Sequence, residues 1–360
     1  MKGKPLWALG CMSGTSLDGV DAALIRTDGI RVLEQGPSTY RPYTEAERDA
    51  LRAVLGHWPG PGLEAAAEVV ARAHAEVIAR FDRPDVVGFH GQTLAHAPRA
   101  EGTHQLGDGA ALAKAVGCPV VWDFRSVDVS LGGEGAPLAP IYHWAVAQSA
   151  GLTRPVCFLN LGGVGNVTFV DPSTGPEALV AFDTGPANAP IDDLVRTRTG
   201  ARFDEGGALA QAGQISQPVI DRLLADPYFL RPPPKSLDRD AFDWLPEAVA
   251  GLETADAVAT LTAASAASVA AGIALLPDAV DQVILCGGGR KNTALKQFIA
   301  RFSSCNVLPV EELGFDGDMI EAQAFGYMAV RVLNGMPTSF PGTTGVSTPV
   351  GGGVTSTPGA

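Results

Sequence analysis

The chain has 360 residues, 46% of them hydrophobic and 18% charged, enough for two domains with sizeable cores and too apolar for a disordered protein. Its 26 basic and 39 acidic residues leave a formal charge of −13. This disfavours extended contact with nucleic acid or an anionic membrane, though backbone N–H groups can still hold a small anion. The five cysteines, Cys11, Cys118, Cys157, Cys286 and Cys305, are odd in number, scattered and free of C-x-x-C spacing. That argues against a disulfide framework or a cysteine zinc site and reads them mostly as small core hydrophobes. Met1 to Pro5 leads into a short strand-like run and not a signal-peptide apolar region, so the expected location is the cytoplasm.

In chain order, Leu6 to Met12 predicts a strand, followed by the polar loop Ser13-Gly14-Thr15-Ser16-Leu17-Asp18-Gly19. Val20 to Thr27 predicts a second strand, Asp28-Gly29 a turn and Ile30 to Glu34 a third strand. Thr44 and Glu47 have capping-box spacing and open a helix. Leu63 to Phe81 carries the 3–4 apolar spacing of a longer one. Pro84 to Phe89 is a buried strand ending at His90-Gly91-Gln92-Thr93. A helix capped by Asp108 runs to Val116, and a strand over Pro119 to Trp122 ends at Asp123-Phe124-Arg125. Loop chemistry continues to Gly135, and Pro137 to Ala150 is helical.

A second cycle starts with the strand Val156 to Leu161, the glycine loop Gly162-Gly163-Val164-Gly165-Asn166 and the return strand Val167 to Asp171. Ala178 to Phe182 is a strand ending at Asp183-Thr184-Gly185-Pro186. Mostly helical sequence then leads to the strand Gln282 to Cys286, which enters Gly287-Gly288-Gly289. A helix from about Asn292, a short strand near Val307 and a helix over Met319 to Leu333 follow. Residues 342–360, rich in Gly, Thr, Ser and Pro, predict a flexible tail. The uncharged run Ala257 to Leu276 is long enough for a membrane span, but its alanines, threonines and serines fit a closely packed core helix.

Strand, glycine loop and strand occur at 6–27 and again at 156–171. This weak internal repeat suggests two similar α/β lobes, 1–150 and 151–341, facing each other across a cleft; two unrelated hairpins are the other reading. Ligands of open α/β sheets bind beyond the carboxyl ends of the strands, where this chain places acids, amides, an arginine and glycines. Each glycine loop taken alone is a tight turn or a phosphate cradle, and the matched pair favours cradles. No G-x-x-x-x-G-K-[ST] occurs, and Thr168 and Asn292 stand where G-x-G-x-x-G would need glycine. Gly14-Thr15-Ser16-Leu17-Asp18 is not a G-x-S-x-G elbow, and the six histidines lack H-E-x-x-H or H-x-H spacing. Asp183, at a strand tip, is either a helix N-cap or a general base.

Together these stretches resemble the anhydro-N-acetylmuramic acid kinase family of the actin-like sugar-kinase superfamily. The resemblance runs from Met12-Ser13-Gly14-Thr15-Ser16-Leu17-Asp18-Gly19-Val20-Asp21 through Gly88 to Thr93, Asp123-Phe124-Arg125, Gly132 to Leu138, Asn160 to Asn166 and Phe182 to Pro186. It continues through Pro232 to Ser236, Cys286 to Gly289 and Glu321-Ala322. It implies an α/β fold of two actin-like (ribonuclease H-like) lobes across an ATP and substrate cleft. The implied reaction uses ATP and water to open 1,6-anhydro-N-acetylmuramic acid and phosphorylate O6, in peptidoglycan recycling. Carried over, Asp183 would be the catalytic base. Ser13, Gly14, Thr15, Ser16, Leu17, Asp18, Gly19 and Val20 would hold the nucleotide phosphates, with Mg²⁺ at Asp18. Gly162, Gly163, Gly165 and Asn166 would cradle them too, and Gly287, Gly288 and Gly289 would border the adenosine. Gln92, Thr93, Arg125 and Glu321 would face the sugar, with Arg125 on its lactyl carboxylate. The family also implies a homodimer whose only other partners are the two small substrates. Ala187 and Pro190 depart from the family's Gly and larger apolar residue, and Cys11-Met12 stand where the wider superfamily often has an Asp. A plain hydroxyl sugar kinase and a silent nucleotide-binding module are the rival readings.

Overall fold

The computed structural model describes residues 3–359. It forms two compact units: residues up to Gly151 together with those from Met319 onward, and Leu152–Asp318.

The first unit is built on a mixed sheet of β1 (Leu6–Ser13), β2 (Gly19–Thr27), β3 (Val32–Pro42), β4 (Val86–Ala97), β5 (Gly102–Leu106), β6 (Val120–Trp122) and β12 (Val354–Ser356). The order is β12-β6-β4-β1-β2-β3, with β5 on β4. β1 runs antiparallel to β2 and parallel to β4, which is parallel to β6. One core holds Leu9, Cys11 and Val20 of the sheet with Leu51, Val69, Val70, Val77 and Leu112 of the helices Glu45–Arg52, Glu64–Ile78 and Gly109–Val116. The expected capping box at Thr44 and Glu47 is present. The helix Ile320–Leu333 lies directly on the sheet because glycine leaves room for it. A Cβ on Gly10 would stand 1.7 Å from the Ala322 carbonyl oxygen, and one on Gly88 would stand 2.1 Å from that of Phe325.

The second unit repeats the plan with β7 (Val156–Leu161), β8 (Val164–Val170), β9 (Val180–Pro186), β10 (Gln282–Cys286) and β11 (Asn306–Pro309), in the order β11-β10-β7-β8-β9. β7 pairs antiparallel with β8 and parallel with β10, and β10 is parallel to β11. One face of the sheet packs Leu159, Val167, Phe182 and Leu285 against Ala266, Val269 and Leu295 of the helices Thr254–Ile273 and Thr293–Ser303. Thr254–Ile273 meets the length and hydropathy test for a membrane span, yet 14 of its 20 residues are buried inside this unit. Its buried threonine and serine hydroxyls donate to its own backbone, as from Thr262 Oγ1 to the Val258 carbonyl oxygen at 2.8 Å, so none of them is stranded.

Counted within each unit, the second sheet reads 3-2-1-4-5 and the first reads 3-2-1-4-6, with β5 set aside as an antiparallel arm on β4 and β12 added antiparallel at the β6 edge; both start with an antiparallel hairpin and continue with parallel strands. This doubling is the α/β, actin-like (ribonuclease H-like) architecture that the repeat and the resemblance predict. Four local expectations change. β3 is longer than 30–34, and β4 continues through His90-Gly91-Gln92-Thr93 to pair with the unforeseen β5. The helix expected to close the second lobe belongs to the first unit. So does the expected tail at 342–360. β12 joins β6, Trp122 Nε1 donates to Ser356 Oγ at 3.1 Å, and buried Asp128 accepts from Ser339 Oγ and Thr344 Oγ1 at 2.5 and 2.7 Å. Composition suggested flexibility there, but hydrogen bonds to Asp128 and Trp122 override it.

Candidate active site

In the second unit, β8 and β9 place Asn166 directly across from Asp183. Asn166 Nδ2 donates to Asp183 Oδ1 at 2.9 Å, and the Leu237 N–H donates to Oδ2 at 2.9 Å. The backbone of Asp183 is held as firmly. Its N–H donates to the Lys235 carbonyl oxygen at 3.0 Å, and its carbonyl oxygen accepts from the Tyr228 hydroxyl at 2.5 Å. Lys235 Nζ donates to the Tyr228 carbonyl oxygen at 2.9 Å and lies over the Tyr228 ring, which closes the strap. Burial pushes the Asp183 carboxyl above its ordinary value against the two hydrogen bonds, which favour the charged form. Burial also lowers the Lys235 ammonium to about 8. Asp183 is thus no helix N-cap: the helix Asn188–Thr199 starts after it, without a side-chain cap.

The second unit's glycines gather around the same strand ends. The Gly162 and Gly163 carbonyl oxygens accept from the N–H groups of Asn188 and Ala187, both at 3.0 Å, so this turn seats the start of the following helix. Gly287 has φ +73°, and a Cβ there would stand 2.2 Å from Asn160 Oδ1; one on Gly289 would meet the Leu161 Cβ at 2.6 Å. Both glycines are required by the close approach of β7. Gly288 has open space around its Cβ position and is exposed. Beside this loop, buried Arg290 pairs with Glu311 and Asp318 at 2.8 and 2.9 Å. Gly165 lies within β8, where its carbonyl oxygen accepts from Thr184 Oγ1. Asn166, expected on phosphate, has its amide on the Asp183 carboxylate.

In the first unit, the β1–β2 hairpin exposes Thr15, Ser16 and Asp18, while Leu17 and Val20 are buried in the core. Leu17 adopts φ +57°, and its N–H closes a turn onto the Gly14 carbonyl oxygen at 3.1 Å. A Cβ on Gly19 would stand 2.3 Å from the Arg41 carbonyl oxygen, so this glycine lets β3 approach. Only Gly14 to Ser16 and Asp18 therefore present side chains or open backbone at the tip. Buried Ser13 and Gln92 bond to each other, and Gln92 Nε2 donates to the Gly14 carbonyl oxygen at 3.1 Å, so Gln92 braces the hairpin. Thr93 Oγ1 accepts from Gln105 Nε2 at 3.3 Å.

Arg125 donates through Nε to His90 Nε2 at 3.2 Å and through Nη1 to the Gly135 carbonyl oxygen at 2.6 Å. His90 Nδ1 donates to the Gly91 carbonyl oxygen at 2.8 Å, which fixes the neutral tautomer. Burial holds this imidazole well below its usual range, and nearby Arg125 adds to the effect. Burial also lowers the Arg125 guanidinium to about 10, against the attraction of Glu321 and Asp128. Arg125 forms no ion pair within 4 Å among the described residues and keeps N–H groups to spare, the state of a cation that can receive a carboxylate. Among the described residues no group of three or more His, Cys, Asp or Glu could hold a metal ion. Asp18 at the exposed hairpin tip would offer Mg²⁺ the hard carboxylate oxygen it takes, with nucleotide phosphates to complete the set.

The sequence reading missed the strap over 226–237. Its bonds to Asp183 run mainly through backbone and leave no side-chain pattern to find, although Lys235 stood inside a recognised stretch.

The doubled sheet is an actin-like α/β fold that holds a carboxylate at a strand end. The family model for anhydro-N-acetylmuramic acid kinase matches residues 7–357. A protein of that name from Cereibacter sphaeroides is 59% identical over 363 residues, covering 99% of this chain and 98% of its own. Another from Roseobacter denitrificans is 56% identical over 359 residues, covering 99% and 95%. Among solved structures, a ROK family glucokinase from Streptomyces griseus aligns over 89% of this chain and 98% of its own, with 16% identity and a TM-score of 0.41. The chain belongs to the anhydro-N-acetylmuramic acid kinase family.

Proposed function

We propose that the protein uses ATP and water to convert 1,6-anhydro-N-acetylmuramic acid into N-acetylmuramic acid 6-phosphate and ADP. The single observation that carries this reading is Asp183: a half-buried strand-tip carboxylate with each oxygen fixed by one hydrogen bond and an affinity for protons raised by partial burial. Asp183 takes a proton from water as the water oxygen bonds to C1 of the sugar. The C1–O6 bond breaks, and O6 takes the γ-phosphoryl group while ADP departs. A strained acetal supplies the leaving oxygen and the phosphoryl group captures it, so catalysis is mainly positioning and charge stabilisation.

Main-chain N–H groups at Gly14 to Ser16, and the turns at Gly162-Gly163 and Gly287 to Gly289, are the proposed nucleotide contacts; Ser13, Leu17, Gly19, Val20, Gly165 and Asn166 would support them from behind. Mg²⁺ held at Asp18 would offset charge on the transferring phosphoryl group. Arg125 is the proposed partner of the lactyl carboxylate, with Thr93 and Glu321 near the sugar and Gln92 bracing the hairpin. The proposed setting is peptidoglycan recycling in the cytoplasm, as a homodimer, which the family resemblance supports.

The test is turnover in ¹⁸O-labelled water with the anhydro-sugar and ATP. The expected result is one label at C1 of the product and none in the phosphate. Label-free product would mean that a sugar hydroxyl attacks ATP directly, as in a plain hydroxyl kinase. Tight ATP binding with no sugar-dependent turnover would favour a silent nucleotide-binding module.

A further inference from the structure

The first unit holds a pocket of about 190 Å³ that none of the assigned sugar residues lines. Its walls include His90, Gln105, Trp122, Asp123, Ser126 and Pro59. The assigned residues bond directly to these walls: Gln105 donates to Thr93, and His90 accepts from Arg125.

Its polar centre is Asp123, at the end of β6. Asp123 adopts φ +51°, a left-handed conformation that non-glycine residues rarely take and that Asp and Asn tolerate best. Its Oδ1 accepts from the Ser126 N–H and hydroxyl at 3.3 and 2.5 Å. Its Oδ2 has no hydrogen-bond partner among the described residues. Both ring nitrogens of His90 are engaged, so His90 brings no charge. The pocket therefore presents one negative charge without a lining lysine or arginine, beside the Trp122 ring and Pro59. Such a wall repels phosphate and carboxylate and suits a neutral N–H donor that carries an apolar group. Room for Trp122 is built in, because a Cβ on Gly109 would stand 2.2 Å from its ring.

We infer that this pocket is the acetamido subsite of the sugar, with Asp123 Oδ2 accepting the amide N–H and Trp122 and Pro59 receiving the acetyl methyl. The inference rests on the proposed function and adds the group that reads the 2-position. Asp123→Asn tests it, because Asn keeps the acceptor for Ser126 and the left-handed backbone while Oδ2 becomes an N–H donor. KM for the 2-acetamido anhydro-sugar should rise about 10- to 100-fold, with KM for ATP and the melting temperature unchanged. Binding calorimetry on the unaltered protein should show the 2-hydroxy analogue binding at least about tenfold more weakly than the acetamido sugar. Equal binding of the two sugars overturns the assignment, whatever the variant does. Equal losses on both sugars in Asp123→Asn would show that Asp123 reads a ring hydroxyl instead. If the unaltered protein turns over the anhydro-sugar and Asp123→Asn matches it on every constant, the pocket assignment alone is wrong. If the unaltered protein does not turn it over, the broader reading fails first.

Discussion

A carboxylate that works as a base must be shielded enough to want a proton and supported enough to lose one. At Asp183 burial supplies the first condition, and the Asn166 amide and the Leu237 N–H supply the second. Because burial dominates, the acid limb of kcat/KM should fall at a pH above the ordinary carboxyl value of 3.8, with activity rising as Asp183 ionises. Asp183→Asn should cut kcat by about 10² to 10⁴-fold, leave ATP binding intact and remove that limb. A pH–rate profile of each protein, with ATP titrated separately, checks this. Asp183 was legible in the sequence because an apolar strand ending in Asp-Thr-Gly-Pro announces a strand tip. The partner of Asn166 was not legible, since pairing across the hairpin depends on a register that shifts between Gly165 and Asn166.

At the scale of elements, the seat of the helix Ile320–Leu333 depends on atoms that are missing. Gly10 and Gly88 leave smooth backbone where Ala322 and Phe325 come down on the sheet. A methyl group at either strand position would meet backbone, which cannot turn aside as a side chain can. Gly88→Ala should therefore destabilise the protein by about 2–3 kcal/mol and lower its denaturation midpoint, as followed by circular dichroism in urea. Sugar turnover should drop with it, because that helix carries Glu321, proposed above to lie near the sugar. The helix itself was readable from its apolar spacing. Its partner was not: nothing local in 320–333 says that it returns to strands laid down in the first third of the chain. The glycine loops show the same limit. Their positions were plain, but whether a glycine serves a ligand or a neighbouring strand depends on what stands opposite. At Gly19, Gly287 and Gly289 it is protein.

Across the whole molecule, the first unit keeps several histidines neutral in its interior. Burial lowers His74 to about 4 and His143 to about 3, and Nε2 of His74 has no partner. An unfolded chain takes up these protons near 6.5, whereas the native chain resists until much lower pH. This stabilisation is therefore complete above about pH 6.5 and is lost progressively as pH falls from there to the native values of about 4 and 3. Glu47, held down to about 2 chiefly by its hydrogen bond from Arg41, acts in the same direction at lower pH. Denaturant midpoints measured from pH 7 to 4 should fall steadily, and His74→Leu should flatten the slope. The two-unit plan was visible in the repeated strand–glycine–strand pattern, but the unit boundaries were not. A chain that leaves one sheet and returns to it at Met319 gives no compositional sign of doing so.

That return has a consequence for synthesis. The second unit is one unbroken stretch and can fold as soon as it clears the ribosome. The first must wait for the strand at Val354–Ser356 and for the hydroxyls of Ser339 and Thr344 that reach Asp128. A polypeptide stalled or nicked a few dozen residues early would carry a finished second half and an open first sheet. Quality control in the cell would meet such a product as a half-built enzyme with its β6 edge bare.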